Sequence, residues 1–241
     1  MPAPEEDGKP ADHPHHVSFW TAHGDVNGVD FWHDPKARIV CRSSHREDRE
    51  DGSTVLRAEL AWTGPDGQLV LAESRTLRFH GSDTERLVDR THVFRAPAER
   101  AVVFGDTKEG TFALRLRREL CPDHGASLRN DSGAVGGKAW GQEARWIAYE
   151  SEVEGQLLGV ACMAHPDNPG GLTRWHARTY GLAAANPFSQ RGFLGKDSKA
   201  DGSRTLPAGE SITYRWRTVL YAGPRSAEQL GALQGTWKER R

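Results

Sequence analysis

The sequence predicts an all-β fold: a large, supersandwich-like antiparallel β-sandwich with a short C-terminal helix. Two observations predict it. Apolar and polar residues alternate over many short segments, as expected when one face of a strand is buried. Glycine-rich turns separate these segments, and the strands do not alternate with helices as they would in a parallel α/β sheet.

The best-defined strands form a predicted hairpin. Alternating apolar residues mark strands over 54–62 and 68–79, and the turn residues at 64–67 join them. Glu73 and Arg75 fall on the apolar face of the second strand. They predict either an ion pair in the core or the floor of a polar cleft.

Further strands are predicted by the same alternation, and the chain ends in a helix. These strands cover residues 86–94, 101–104, 111–120, 145–152, 156–164 and 211–221. Ser226 and Gln229 have the spacing of a capping box at a helix N-terminus. Leu230, Leu233 and Trp237 then recur at helical spacing, so we predict a helix over 226–239 that covers a sheet edge.

Length and composition indicate a soluble cytoplasmic protein with one domain over 13–241 after a disordered tail, 1–12. The formal net charge of −1 and the scattered basic residues disfavour nucleic acid as a partner. The longest apolar run, 157–164, is too short to span a membrane. The three cysteines, Cys41, Cys121 and Cys162, are predicted to be buried thiols in a reducing compartment.

The first of three loop-like polar segments is rich in histidine and tryptophan. It covers residues 12–33 and contains five of the 11 histidines. Aromatic plates next to a few polar groups are typical of pockets for hydroxylated ligands. The alternative is a histidine-rich loop that packs on itself. The candidate residues are His16, His23, Asp25, Asn27 and Trp32.

The second segment, 132–143, contains a Gly-Gly-Lys sequence. It does not have the phosphate-loop spacing, because Ser132 replaces the first glycine and Ala139 replaces the final Ser or Thr. Nucleotide binding is therefore not predicted. Lys138 and Trp140 are candidate ligand-binding residues, and a plain turn is the alternative.

The third segment, 165–188, is the strongest indication of a site. Even spacing would place Arg174, His176, Arg178 and Tyr180 on one strand face, with Asn186 following. Such polar side chains are unfavourable to bury unless they have a function or a partner. We predict that this segment and the first one meet, which would place His23 and His176 in one pocket.

Two chemistries fit these residues. In the first, His23 and His176 transfer protons while Asp25 orients one of them. Arg174 and Lys138 would then bind an anion or a carbonyl group, and no cofactor is required. In the second, His23, Asp25 and His176 hold iron as two histidines and one carboxylate.

These segments also resemble a known family. Residues 12–16, 22–32, 137–141, 173–178 and 186–188 are similar to motifs of the PmoA-like family of soluble bacterial proteins, labelled methane oxygenases. The resemblance implies a sandwich of the galactose-mutarotase-like type and a role in sugar metabolism. Val17 departs from it, because arginine is usual there, and so does the short stretch of 11 residues before the first motif.

The sequence therefore predicts an enzyme, an isomerase or lyase, that acts on a sugar or another hydroxylated or keto small molecule. The reaction would be epimerisation, isomerisation or elimination by histidine acid–base chemistry. Alternatives are a metal-dependent oxygenase or lyase and a non-catalytic carbohydrate-binding protein. A partner subunit could complete the short sandwich, so a homodimer is compatible with this interpretation.

Overall fold

The computed structural model describes residues 13, 15–235 and 237. It confirms the predicted fold class, because the chain is mostly β, the sheets are antiparallel and a short helix lies near the C-terminus. The predicted disordered tail, 1–12, lies outside the described residues.

Within the described residues, the strands are β1 (Phe19–His23), β2 (Arg38–Asp48), β3 (Thr54–Thr63), β4 (Leu69–Gly81), β5 (Glu85–Arg95), β6 (Val102–Phe104), β7 (Gly110–Arg115), β8 (Ser127–Asn130), β9 (Glu143–Ala144), β10 (Trp146–Val153), β11 (Gln156–Ala164), β12 (Thr173–Ala177), β13 (Leu182–Asn186), β14 (Arg204–Leu206) and β15 (Ser211–Ala222). The α-helices are α1 (Arg191–Leu194) and α2 (Ala227–Gly235).

Two large sheets face each other. The eight-stranded sheet has the order β2-β3-β4-β5-β15-β11-β10-β8, and the five-stranded sheet has the order β1-β7-β13-β12-β9. A small pair, β14-β6, completes the fold. Aromatic residues from both large sheets fill the space between them: Phe112 of β7 stacks on Trp216 of β15 at 5.3 Å, and Trp175 of β12 meets the same ring edge-on.

The predicted hairpin is β3 and β4. Gly67 has a φ of +78° in the connecting turn, a conformation that favours glycine. Glu73 is buried on the core face, where it accepts a hydrogen bond of 2.7 Å from Nε of Arg75. The predicted ion pair is therefore present, and Arg75 also lines a cavity between the sheets, so the structure contains features of both interpretations.

The C-terminal helix α2 begins after the predicted capping box. The Ser226 backbone N–H donates to Oε1 of Gln229, and the Gln229 N–H donates to Oγ of Ser226. Leu230 is fully buried, and the Gln234 side chain donates to the Ala164 carbonyl on β11. The helix is therefore fixed to the eight-stranded sheet by both apolar and polar contacts.

Several predicted elements differ from the structure. The first loop-like segment contains strand β1, and the third contains β12 and β13. The strand predicted over 111–120 ends at Arg115. Since β12 ends at Ala177, Tyr180 is not on the same strand as His176.

Two of the three cysteines are buried as predicted, but Cys41 is exposed. Cys41 lies on β2, the edge strand of the eight-stranded sheet, where almost every residue is exposed. Among the described residues, no helix is long and apolar enough to cross a membrane.

Candidate functional site

A row of four residues crosses the outer face of the five-stranded sheet. The strand registers pair Trp20 with Ala113, Ala113 with Ala184, and Ala184 with His176. Cross-strand partners point to the same face. Since Trp175 points inward to the core, its neighbour His176 points outward. The two alanines therefore form a flat floor between a tryptophan and a histidine.

Rings from the N-terminal segment lie above this floor. His13 stacks on His16 at 4.6 Å and on Tyr180 at 4.8 Å. His16 in turn stacks on Trp20 at 5.1 Å. We call these residues, with the adjoining rings, the histidine–aromatic cluster; its members are His13, His15, His16, Trp20, Trp32 and Tyr180. The structure thus brings the predicted residues His16, Trp32 and Tyr180 together.

His176 lies beside this cluster, and one of its two ring nitrogens forms a hydrogen bond within the described residues. Its Nδ1 donates to the Lys108 carbonyl at 3.1 Å, which leaves the Nε2 lone pair without a partner among the described residues. Trp140 and Phe193 contact the ring edge-on. Burial, followed by the charges of Arg178 and Lys108, lowers the pKa of His176 to about 3. The imidazole is therefore neutral at neutral pH.

The surroundings of the cluster are electropositive. Arg115 donates to Nδ1 of His16 at 3.3 Å, and the Arg115 and Arg178 guanidinium groups lie over the Tyr180 ring at 4.9 and 5.4 Å. Burial, the neighbouring histidines and then Arg115 and His176 lower the pKa of His16 to about 2. An anion placed here would meet several cations and neutral imidazoles.

Other predicted binding residues hold the loops around the site. Arg174 donates to the Gln190 side chain and the Gly141 carbonyl and forms an ion pair of 3.1 Å with Glu143. Its guanidinium is therefore engaged within the protein. Exposed Lys138 lies with Trp140 along an open surface groove next to the site.

The remaining polar residues of the prediction stabilise turns. The Asn27 side chain donates to the Ala101 carbonyl and accepts from the Val103 N–H. Asp25 accepts the Gly28 N–H at 2.8 Å. Asn186 donates to the Thr107 carbonyl at 2.7 Å.

His23 is enclosed in the protein interior, and both of its ring nitrogens have partners. Nε2 donates to the Gly105 carbonyl at 2.8 Å, and Nδ1 accepts from the Thr111 hydroxyl at 3.2 Å. Burial lowers the pKa of His23 to about 4. A Cβ at Gly110 would lie 2.2 Å from Nδ1, so the neighbouring strand leaves no free space there.

The two predicted catalytic histidines lie on opposite faces of the five-stranded sheet. Trp20 shares a face with His176 through the registers described above, and His23 is three residues from Trp20 on the same strand. His23 and His176 both bond to the loop 105–109, but from different sides. The structure therefore does not bring them into one pocket.

We expect His23 to stabilise the fold rather than to transfer protons. His23→Leu would leave the Gly105 carbonyl and the Thr111 hydroxyl unpartnered, and should lower the free energy of unfolding by about 2–4 kcal/mol. Urea denaturation would measure this. His45→Leu, at an exposed position on β2, is the control and should change little. Equal stability of the two variants would contradict this role.

Three residues that the sequence did not single out complete the site: Lys108, Arg115 and Phe193. Strand pairing and loop placement bring these three residues to the site. The sequence could not identify them, because they do not belong to a short motif. Among the described residues, no group of three or more His, Cys, Asp or Glu side chains is arranged to hold a metal ion.

Comparisons with solved structures find distant likenesses. The GH36 α-galactosidase AgaA from Geobacillus stearothermophilus is 11% identical, with a TM-score of 0.43 over 94% of this chain and 32% of its own. A glycoside hydrolase family 97 enzyme from Pseudoalteromonas sp. strain K8, solved with acarbose, is 10% identical, with a TM-score of 0.38 over 88% and 29%. This chain thus spans about a third of either enzyme.

The Slr1438 protein from Synechocystis sp. PCC 6803 is 9% identical, with a TM-score of 0.34 over 86% of this chain and 74% of its own. At such TM-scores these likenesses carry no argument about activity. No curated protein matches the sequence.

The family comparison corrects the resemblance inferred from the motifs. The family model that matches covers residues 6–234 and is neither PmoA-like nor mutarotase-like, so that assignment is wrong. The chain belongs to DUF6807, a family of unknown function.

Proposed function

We propose that the chain is an enzyme that binds a small hydroxylated or keto molecule, such as a sugar derivative, next to the histidine–aromatic cluster. His176 would transfer a proton during epimerisation, isomerisation or elimination. The free Nε2 of His176, in a ring held by the Lys108 carbonyl, is the observation that carries this proposal.

A base must be deprotonated and correctly oriented before it can act. The Lys108 carbonyl accepts from Nδ1, and this contact fixes both the tautomer and the direction of Nε2. Burial lowers the pKa of His176 most, and the charges of Arg178 and Lys108 lower it further, so the base is weak. A bound anion would offset these two cations and raise the pKa from this value.

The same cations favour a substrate that carries, or develops, negative charge on oxygen. Removal of a proton next to a carbonyl group produces an enolate, which Arg178 and Lys108 would stabilise. Trp140, which contacts the His176 ring, would supply a flat apolar surface next to a hydroxylated carbon chain.

Proton transfer at carbon can be detected without knowing the product. Sugar phosphates, sugar acids and keto acids would be incubated with the protein in D2O, and deuterium incorporation followed by NMR. We expect the wild type to exchange a carbon-bound proton in one class of compound. His176→Asn, which can still donate to the Lys108 carbonyl, should exchange it about 10²–10⁴-fold more slowly.

His45→Asn is the matched control, because it makes the same change on the exposed strand β2. Its exchange rate should equal that of the wild type. A His176→Asn protein that exchanges as fast as the control would contradict the proposal.

A non-catalytic binding protein is the second candidate. The lowered pKa of His176, about 3, favours it, because such a weak base serves well as a neutral hydrogen-bond acceptor. Saturable binding of a compound by the wild type without deuterium exchange would support this candidate and contradict the enzymatic one.

A further inference from the structure

A second cavity opens between the two large sheets. It has a volume of about 100 Å³ and lies between the edge strand β1 and strands β4 and β5. Apolar walls come from Phe19, Trp20, Leu77 and Val88, and polar groups come from Arg75, Arg90 and His92. The volume is several times that needed for one water molecule, so a small organic molecule could enter.

Arg90 is a buried cation without a carboxylate partner among the described residues. Its exposed fraction is 4%, and one guanidinium nitrogen donates to the Thr218 hydroxyl at 3.0 Å. The guanidinium lies 3.3 Å from the Phe112 ring centroid, and its Nε has no hydrogen-bond partner in the described part of the chain. A buried charge in this state is unfavourable, so the position favours the binding of an anion.

His92 is also buried, with an exposed fraction of 1%, and also has a free nitrogen. Its Nδ1 donates to Glu73 at 2.8 Å, whereas Nε2 has no partner among the residues described. The charged groups around it are Glu73 and Arg75 on β4 and Arg90 on its own strand. The facing residue on β15, Tyr214, has a phenol that is likewise unpartnered within the described residues.

We infer that this cavity binds a small monocarboxylate with an apolar body. The carboxylate would accept hydrogen bonds from Arg90, and His92 would take up one proton at Nε2 and donate it to the same group. Glu73 would hold the opposite nitrogen of the protonated ring, so the two added charges would each have a partner. The aliphatic part of the ligand would contact Phe19, Leu77 and Val88.

This inference is independent of the proposed function. Trp20 lines the cavity and also belongs to the histidine–aromatic cluster, but Arg90, His92 and Leu77 are not members of that cluster. Variants of Arg90 and Leu77 therefore test the cavity without changing a residue of the proposed active site.

Calorimetric titration with hexanoate and with its neutral analogue hexanamide tests the inference. We expect hexanoate to bind at least about tenfold more tightly than hexanamide, since the amide carries no charge for Arg90. Titrations in buffers of different ionisation enthalpy should show uptake of about one proton per bound hexanoate and none for the amide. Equal affinities, or no hexanoate binding, would overturn the inference.

Variants identify the residues involved. Arg90→Met should weaken hexanoate binding by at least about tenfold and raise the midpoint of thermal unfolding, because it removes an unpaired buried charge. Arg95→Met, an exposed position on the same strand, is the control and should bind normally. Leu77→Trp should also prevent binding by filling the cavity while leaving every charge in place. Hexanoate affinity unchanged in Arg90→Met and Leu77→Trp would place its binding elsewhere and overturn the inference.

Discussion

Acidification should destabilise this protein from about pH 6.5 downwards, well before its carboxylates are protonated. Burial lowers the pKa of His23 and of His92 to about 4, from an ordinary value of 6.5. Between these values the unfolded chain binds protons that the folded protein excludes. Each histidine therefore removes at most about 1.4 kcal/mol of stability per pH unit, and both together remove about 4 kcal/mol between pH 6.5 and 4.5.

The contribution of these neutral histidines to the free energy of unfolding is complete above about pH 6.5 and is lost as the pH falls towards 4. His16 and His176, with pKa values lowered to about 2 and 3, act in the same direction. The free energy of unfolding would be measured in urea at pH 7.5, 6.5, 5.5 and 4.5. The His23→Leu variant should show a smaller slope, since one titrating group is absent. A free energy that is constant from pH 7.5 to 5 would contradict the prediction.

Several strands that the sequence predicted well have one buried face. β4 and the first half of β15 alternate between buried and more exposed residues, and their hydrophobic pattern records this directly. β2 was not predicted, because it lies at the edge of the eight-stranded sheet beyond the cover of the other sheet. Because both faces of β2 are exposed, apolar and polar residues do not alternate along this strand.

The outer-face site was predicted in part, for a similar reason. Local composition identified the rings of His16, Trp32 and Tyr180, because histidine and aromatic residues are dense in their segments. It could not show that His23 faces inward, since this depends on the register of β1 against β7. A His-x-Asp pattern gives no information on which strand face the histidine occupies.

The sequence contains a pattern that could have predicted the cavity between the sheets. Arg90 and His92 lie between Val88 and Phe94 on one face of a predicted strand, so two polar residues interrupt an apolar face. Glu73 and Arg75 interrupt the apolar face of the neighbouring strand in the same way. Pairing of β4 with β5 places Arg75 opposite His92 and thereby gathers these charges at one point in the core.

The largest effect of a single substitution on stability is expected at Glu73. One carboxylate oxygen accepts from His92 and Arg75, and the other accepts from the Trp62 indole and Arg75. Burial alone would raise the pKa of Glu73, but the bonds and charges of His92 and Arg75 outweigh it and lower the pKa to about 2. Glu73→Gln should lower the free energy of unfolding by about 3–5 kcal/mol, the usual effect of breaking a buried ion pair.

This loss of stability is expected because every group that contacts the Glu73 carboxylate is a hydrogen-bond donor. A glutamine at this position would place its own N–H groups against those of Arg75, His92 or Trp62, and the buried cations would lose their only anion among the described neighbours. Urea denaturation at pH 7.5 would measure the loss. Glu47→Gln, which removes an exposed ion pair with Arg57, should change the midpoint little.

A second substitution tests whether charge, rather than packing, causes the loss. Arg75→Met removes the cation that pairs with Glu73, so it should restore part of the stability in the Glu73→Gln background. If packing around the amide were the cause, Arg75→Met would change the free energy of unfolding by the same amount in both backgrounds. Such an equal change would contradict the explanation by charge.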